Sequence, residues 1–348
     1  MSPYVLTTLL MSLGLGTTIT FASSHWLLAW MGLEISTLAI LPLMTQQHHP
    51  RAVEAATKYF LTQATAAAMI LFTSTSNAWM LGEWSITQLS HPVIATLTML
   101  ALALKMGLAP LHFWLPEVLQ GLDLTTGLIL STWQKLAPFA LVIQITPATH
   151  PSILTTLGIL SALVGGWGGL NQTQLRKILA YSSIAHLGWM FLVLQFATHL
   201  ALLTLAVYIM MTSAAFLTLA STSSTKINTL ALAWAKTPSL TALAVLLLLS
   251  LGGLPPLTGF MPKWLILQEL TKQDLPLTAT LMALTALLSL YFYLRLCYTM
   301  TLTISPNTNN STTPWRLSST RNTLPLALMT TMTLTLLPMT PTALTLTM

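Results

Sequence analysis

LALKMGLAPLHFWLPE, residues 102–117, places a lysine inside an apolar run and follows it at once with a glycine, two prolines and a histidine. Only 6% of the 348 residues are charged and 54% are hydrophobic. Soluble globular domains carry about 25% charged residues, so this chain cannot cover a water-facing surface of ordinary polarity. We therefore predict an integral membrane protein in which Lys105 lies in a broken membrane helix.

The charge and the single cysteine exclude several classes of function. The net charge is +6, but no basic cluster or aromatic-plus-basic patch accompanies it, so nucleic acid is not an expected partner. Cys297 is the only cysteine, which excludes an internal disulfide and argues against iron–sulfur clusters and structural zinc. The eight histidines form no tight ligand pair on a helix. We expect this chain to bind no metal, cofactor or redox centre of its own.

The hydrophobic segments predict an all-α polytopic protein. A membrane-spanning helix needs about 20 apolar residues. About eleven segments meet this requirement: 3–22, 25–45, 52–78, 92–119, 123–145, 151–170, 174–196, 199–222, 239–270, 276–300 and 323–345.

The basic residues support this segmentation. Eight of them lie in or beside loops that follow even-numbered segments: Arg51, Arg176, Lys177, Lys226, Lys236, Arg295, Arg316 and Arg321. Only Lys272 lies in a loop that follows an odd-numbered segment. Basic loops stay on the cytoplasmic side, or on the matrix side in a mitochondrion. The N-terminus is predicted to lie on that same side.

Two segments are interrupted at corresponding places. Gly107 and Pro110 break the fourth segment, and LGGLPPLTGFMP, residues 251–262, breaks the ninth. Broken helices at matching positions of two halves indicate an inverted-repeat transporter. We predict a single membrane domain over 1–348, with five-helix repeats at 1–149 and 150–301 and a C-terminal loop and helix at 302–348. The repeat is inferred from layout alone, since the halves show no convincing similarity residue by residue.

Four charged residues within the segments are the main functional candidates: Glu34, Lys105, Lys135 and Lys263. A charge at the bilayer centre costs about 2.5–3.5 kcal/mol on insertion scales, so such residues face a protein or aqueous interior. Glu34 has no basic residue one turn away, so we expect an interhelical ion pair with Lys105. The exposed carbonyls and the dipole at the end of a half-helix would help hold the Lys105 cation. Lys263 is expected near the N-terminal end of a half-helix, where the positive end of the helix dipole would disfavour its charge.

Structural roles remain open for each candidate. Glu34 could be a carboxylate bonded to a hydroxyl, Lys135 could make a fixed hydrogen bond, and Lys105 or Lys263 could extend to the interface. His112, beside the first break, and His186, within a segment, titrate near physiological pH. Each of these could equally be a neutral histidine bonded within the helix bundle. Lys58 follows Glu54 by one turn and predicts a local pair.

Long stretches of the chain resemble a known family, the antiporter-like proton-pumping membrane subunits of respiratory complex I. The resemblance covers nearly the whole chain and is of the vertebrate mitochondrial type. The stretches that carry it are SSHWLLAWMGLE (23–34), RAVEAATKYFLTQA (51–64), LALKMGLAPLHFWLPEVLQG (102–121), TWQKLAPF (132–139), GGWGGLNQTQLRKILAYSSIAHLGWM (165–190) and LGGLPPLTGFMPKW (251–264).

The resemblance implies an antiporter-like fold in the mitochondrial inner membrane and a role in a proton relay. It implies that Glu34 and Lys105 are a coupled pair, Lys135 the central lysine and Lys263 the lysine after the second break. NADH, FMN, iron–sulfur clusters and ubiquinone are expected in other subunits. Neighbouring membrane subunits and lipids such as cardiolipin are the expected partners.

Three hypotheses follow. The first is a subunit that moves protons from matrix to intermembrane space as electrons pass through other subunits. The second is a stand-alone cation/proton antiporter of the same fold. The third is a scaffold whose buried charges transmit change without carrying protons.

Overall fold

The computed structural model describes residues 2–235, 237–302, 323–340, 342 and 345, and the described part of the chain is helical without a β-strand. Lys236, Arg316 and Arg321, on which the predicted sidedness partly rests, lie outside this part. The described α-helices are α1 Pro3–Ala22, α2 Trp26–Met44, α3 Pro50–Leu81, α4 Pro92–Met106, α5 Trp114–Gly121, α6 Leu124–Ser131, α7 Trp133–Ile145, α8 Pro151–Gly169, α9 Leu175–Leu194, α10 Thr198–Thr222, α11 Ile227–Leu232, α12 Pro238–Gly252, α13 Phe260–Lys272, α14 Pro276–Leu302 and α15 Leu324–Thr335.

The helix lengths agree with a membrane protein. Six stretches of the described chain are long and apolar enough to cross a membrane: Pro3–Ala22, Trp26–Met44, Leu124–Ala148, Pro151–Gly169, Thr198–Thr222 and Pro276–Leu302. The predicted fourth and ninth segments are each two helices, α4 with α5 and α12 with α13. The predicted fifth segment is also divided, into α6 and α7, and α11 is an additional short helix that the hydrophobic pattern did not predict.

Proline and threonine explain where the helices begin and how they tolerate polar side chains. Six helices begin at a proline: α1, α3, α4, α8, α12 and α14. Proline suits this position because its fixed φ is helical and the first amide has no partner within the helix. The hydroxyls of Thr17 and Thr98 bond to carbonyls three residues earlier, each at 2.8 Å. Such bonds within the helix satisfy the hydroxyl without water.

The chain divides into two compact units, residues 1–161 and 162–348. In the first unit α1 packs on α2, and α3 packs on α4 and α5, while α7 contacts α4. In the second unit α12 packs on α14, and α10 packs on α9 and α15. Each unit contains one of the two helix breaks that the sequence predicts.

The two breaks have the same backbone geometry. Gly107 follows the end of α4 and Gly253 follows the end of α12, with φ values of +80° and +81°. Glycine is favoured at such left-handed helix ends because it has no Cβ to collide with the following carbonyl. Each break then contains a cis X–Pro bond three residues further on, and a new helix begins at the seventh residue after the glycine.

Alignment on these two glycines shows a similarity that the sequence layout alone did not show. GLAPLHFWLPE, residues 107–117, corresponds to GLPPLTGFMPK, residues 253–263. The Gly, Leu, Pro, Leu and second Pro coincide, and these residues produce the turn and the restart of the helix. The expectation that the halves lack residue-level similarity is therefore wrong at the breaks. Lys263 corresponds to Glu117 in this alignment, not to Lys105.

Candidate functional site

Lys105 lies in the last turn of α4, as predicted, and two side chains hold the carbonyls at this helix end. The indole nitrogen of Trp114 donates to the Leu104 carbonyl at 3.0 Å. The amide of Gln63, on α3, lies 3.5 Å from the Lys105 carbonyl. A broken helix within a membrane needs such partners because lipid offers none. Sequence reasoning missed both residues, although Gln63 is a polar residue in the middle of an apolar helix.

Lys105 and Lys135 line the same cavity of the first unit. The cavity is small, with a volume of about 10 Å³, and is also lined by Ser36, Thr37, Tyr59, Gln63 and Gln134, which carry hydroxyl and amide groups. Lys105 is 6% exposed and Lys135 is 3% exposed. The Lys105 Nζ has no hydrogen-bond partner among the residues that the structure describes. The structure thus brings together two buried lysines that lie thirty positions apart in the sequence.

Lys135 lies one turn after a helix interruption that the sequence analysis did not predict. α6 ends at Ser131 and α7 begins at Trp133, so Lys135 is near the start of a helix rather than in the middle of one. Pro138 lies within α7 and has no amide hydrogen to bond the carbonyl four residues earlier. That carbonyl belongs to Gln134, which lies after the interruption, so Pro138 does not account for it.

Glu34 does not form the predicted ion pair with Lys105. No nitrogen–oxygen contact within 4.0 Å joins them among the ion pairs of the described chain. Helix α2 presents Leu33, Ser36 and Thr37 to the cavity, and successive residues of a helix are about 100° apart, so Glu34 falls beside this face. The hydroxyl of Thr37 lies 3.4 Å from a Glu34 carboxylate oxygen.

The predicted pair of Glu54 and Lys58 is confirmed, with a second carboxylate added. Lys58 Nζ lies 2.7 Å from Glu54 and 2.8 Å from Glu117 on α5. All three side chains are exposed in this chain, Lys58 by 42%. The sequence could not indicate Glu117 because 59 positions separate it from Lys58.

His112 is placed in the first break by its backbone and its neighbours. Its ring is 5% exposed, and its Nδ1 lies 3.3 Å from the carbonyl oxygen of Pro110. The ring also contacts Phe113, with 4.3 Å between the ring centroids. His112 is not among the residues that line the cavity of Lys105 and Lys135.

Lys263, in the second unit, reaches back across the break that precedes it. It lies in the first turn of α13, but its Nζ donates to the Gly252 carbonyl at 2.8 Å, at the C-terminal end of α12. That end carries the negative part of the helix dipole, which favours a cation. The expectation that a helix N-terminus disfavours this charge therefore needs correction, because the long side chain moves the charge to the opposite helix end. Lys263 is 8% exposed.

His186 lies on α9 of the second unit beside a buried tyrosine. Its ring is half-buried and lies 5.7 Å from the ring of Tyr208, centroid to centroid. Ser182 and Ser183, on the same helix, are fully buried. Among the residues that the structure describes, no three His, Cys, Asp or Glu side chains come together as metal ligands.

The fold and its broken helices agree with a family of membrane proteins that move cations. Residues 23–289 match the NADH:quinone oxidoreductase/Mrp antiporter transmembrane family, and the chain belongs to this family. Residues 290–344 match the NADH dehydrogenase subunit 2 C-terminus family. The family resemblance that the sequence motifs predicted is thereby confirmed.

Relatives named NADH-ubiquinone oxidoreductase chain 2 match the whole chain. The protein of Carassius auratus is 75% identical over 100% of both chains, and that of Danio rerio is 72% identical over the same shares. A chain of respiratory complex I from Thermus thermophilus has the same fold, with a TM-score of 0.86 and 28% identity, over 99% of this chain and 80% of that one. A chain of the Mrp complex from Dietzia sp. DQ12-45-1b shares the fold, with a TM-score of 0.80 and 16% identity, over 97% and 76%.

Proposed function

We propose that this chain is a proton-translocating membrane subunit of NADH:ubiquinone oxidoreductase, respiratory complex I. It moves protons from the matrix to the intermembrane space while other subunits oxidise NADH and reduce ubiquinone. The enzyme activity belongs to the complex, and FMN and the iron–sulfur clusters are held by other subunits. The observation that carries this proposal is the shared cavity of Lys105 and Lys135.

Two buried lysines on one cavity are suited to transferring protons. A low-dielectric setting disfavours the charged ammonium, so a buried lysine releases its proton more readily than an exposed one. If both were charged, they would repel each other strongly at this depth. A proton on Lys105 therefore disfavours a proton on Lys135, and side chains with amide and hydroxyl groups line the same cavity.

Glu34 takes part in this exchange without contacting Lys105, since its neighbours Leu33, Ser36 and Thr37 on α2 line the cavity. Lys263 is the carrier of the second unit, and the Gly252 carbonyl holds its charged form. His112 and His186 are further relay candidates because a histidine titrates near physiological pH.

The architecture that we propose is that of an antiporter-like protein with about eleven membrane spans. Residues 1–149 and 150–301 form inverted five-helix repeats, and residues 302–348 add a loop and a helix. The matching left-handed glycines at the two breaks, Gly107 and Gly253, support this arrangement. Such an arrangement places ion sites where unwound backbone and half-helix ends meet.

The proposed location is the mitochondrial inner membrane, with the N-terminus in the matrix. The partners are other membrane subunits of the complex, including neighbouring antiporter-like subunits, and lipids such as cardiolipin. Nucleic acid is not a partner. Exposed aromatic residues such as Trp79, which is 91% exposed, and Phe113, which is 72% exposed, supply apolar surface for lipid or neighbouring helices.

The test is the proton-to-electron ratio of the assembled complex in sealed vesicles after Lys135→Met. We expect the ratio to fall while NADH oxidation per complex persists, since the substitution removes a proton carrier and no redox centre. The matched control is Lys272→Met, whose side chain is 62% exposed and makes only a 3.9 Å contact with Glu269.

An unchanged ratio in intact complex carrying Lys135→Met would overturn the proposal and favour a scaffold. Migration of the chain apart from any NADH-oxidising assembly in mild detergent would overturn complex membership and favour a stand-alone antiporter.

A further inference from the structure

The second break is held from outside by the C-terminal helix α15. The hydroxyl of Thr258, within the break, donates to the carbonyl of Thr333, near the end of α15. Thr258 is 2% exposed and Thr333 is 1% exposed, so water does not compete with this bond from the surface. The two residues are 75 positions apart. α15 also packs along α10 and α12, so its position is fixed independently of the threonine bond.

The loop that contains Thr258 lies directly on the end of α12. At the next residue, Gly259, an added Cβ would lie 1.7 Å from the Ser250 carbonyl oxygen. Lys263 follows within one turn and donates to the Gly252 carbonyl. The loop thus contacts both α12, at Ser250, and α15, at Thr333. A shift of Thr258 would move the start of α13, and with it the Lys263 ammonium.

The first break has a different residue at the equivalent position. His112 corresponds to Thr258 in the glycine alignment, and its Nδ1 lies against a carbonyl of its own loop, Pro110.

From these contacts we infer that α15 is a positioning element for Lys263, and that Thr258 is the positioning residue through which it acts. The inference rests on the proposed proton transfer and adds a role for a helix that lies outside the two repeats. α15 fixes the loop, the loop fixes the first turn of α13, and Lys263 stays on the carbonyl of Gly252.

The experiment compares Thr258→Val, Thr258→Ala and Thr258→Ser in the assembled complex, with the proton-to-electron ratio as readout. Valine keeps the shape and removes the donor, alanine cannot overpack the site, and serine keeps the donor. The ratio is counted per electron, so a smaller amount of assembled complex does not change it. The control is Thr241→Val on α12, where the threonine is equally buried but bonds only to Pro238 of its own helix.

We expect the proton-to-electron ratios of Thr258→Val and Thr258→Ala to lie between that of the unsubstituted complex and that of Lys263→Met. The ratios of Thr258→Ser and Thr241→Val should equal that of the unsubstituted complex. Ratios unchanged in both the valine and alanine variants, with a lowered ratio in Lys263→Met, would overturn this inference alone. An unchanged ratio in Lys263→Met would overturn the role of Lys263 in the proposed function and this inference with it. The inference would also be overturned if the proton-to-electron ratio fell as far in Thr241→Val as in Thr258→Val.

Discussion

The indole nitrogen of Trp114 donates a hydrogen bond to the carbonyl oxygen of Leu104 at 3.0 Å, across the first helix break. The bond joins the end of α4 to the start of α5 and gives a second donor to a carbonyl that also accepts the Gly107 amide at 3.2 Å. We expect the position of Lys105, the residue after Leu104, to depend on this contact.

Replacing Trp114 with phenylalanine tests that dependence. Phenylalanine retains an aromatic ring but has no donor, and the loss of one intramolecular hydrogen bond costs about 0.5–1.5 kcal/mol. We expect the complex to lose activity at a lower temperature and to show a lower proton-to-electron ratio. Trp167→Phe is the control, because Trp167 is 74% exposed. Equal heat stability of the two variants would contradict the role given to the indole.

Lys105→Arg separates the charge of this residue from its capacity to exchange a proton. Arginine remains protonated in proteins at all accessible pH values, so it keeps the cation but cannot release a proton. We expect the proton-to-electron ratio to fall in assembled complex. Lys105→Met, which fits the buried site without additional volume, should also lower it. Vesicles that carry either variant and pump protons at the full ratio would argue against Lys105 as a carrier.

Gly253→Ala is expected to destabilise the second break in two ways, through the backbone conformation of residue 253 and through a collision with the side chain of Lys263. The left-handed conformation costs a residue with a Cβ about 1–2 kcal/mol. The added Cβ would also lie 2.9 Å from Cδ and Nζ of Lys263, which would have to move. Gly82→Ala isolates the backbone cost, because Gly82 has φ +74° and no atom within 4 Å of the added Cβ.

The midpoint of heat inactivation of NADH:ubiquinone activity should fall in both glycine variants, and further in Gly253→Ala. The proton-to-electron ratio should fall only in Gly253→Ala. If Gly82→Ala lowered the midpoint by the same amount, the contact with Lys263 would have no energetic consequence.

Local sequence patterns predicted the parts of the site that depend on neighbouring residues. The first helix break followed from Gly107 and Pro110, the second from LGGLPPLTGFMP at residues 251–262, and the Glu54–Lys58 pair from its spacing of one turn. The burial of Lys105 and Lys135 followed from the cost of a charge in lipid.

The remaining features depend on contacts between distant parts of the chain. Which face of α2 meets the cavity decides whether Glu34 touches Lys105, and hydrophobicity cannot reveal that face when the whole helix is apolar. Lys263 was misjudged because the position of its backbone does not give the position of its ammonium. The bond from Thr258 to Thr333 joins residues 75 positions apart, and no local pattern indicates it.

The exposed cluster of Glu54, Lys58 and Glu117 supplies the last prediction, a substitution with little effect on pumping. Glu54→Gln removes one carboxylate but leaves Lys58 paired with Glu117 at 2.8 Å. Exposed ion pairs contribute little because water and salt screen them. We expect an unchanged proton-to-electron ratio in vesicles at both low and high ionic strength. A ratio that fell as far as in Lys135→Met would show that this surface cluster takes part in proton transfer, and the relay would then have to be extended from the buried cavity to the exposed face of α3.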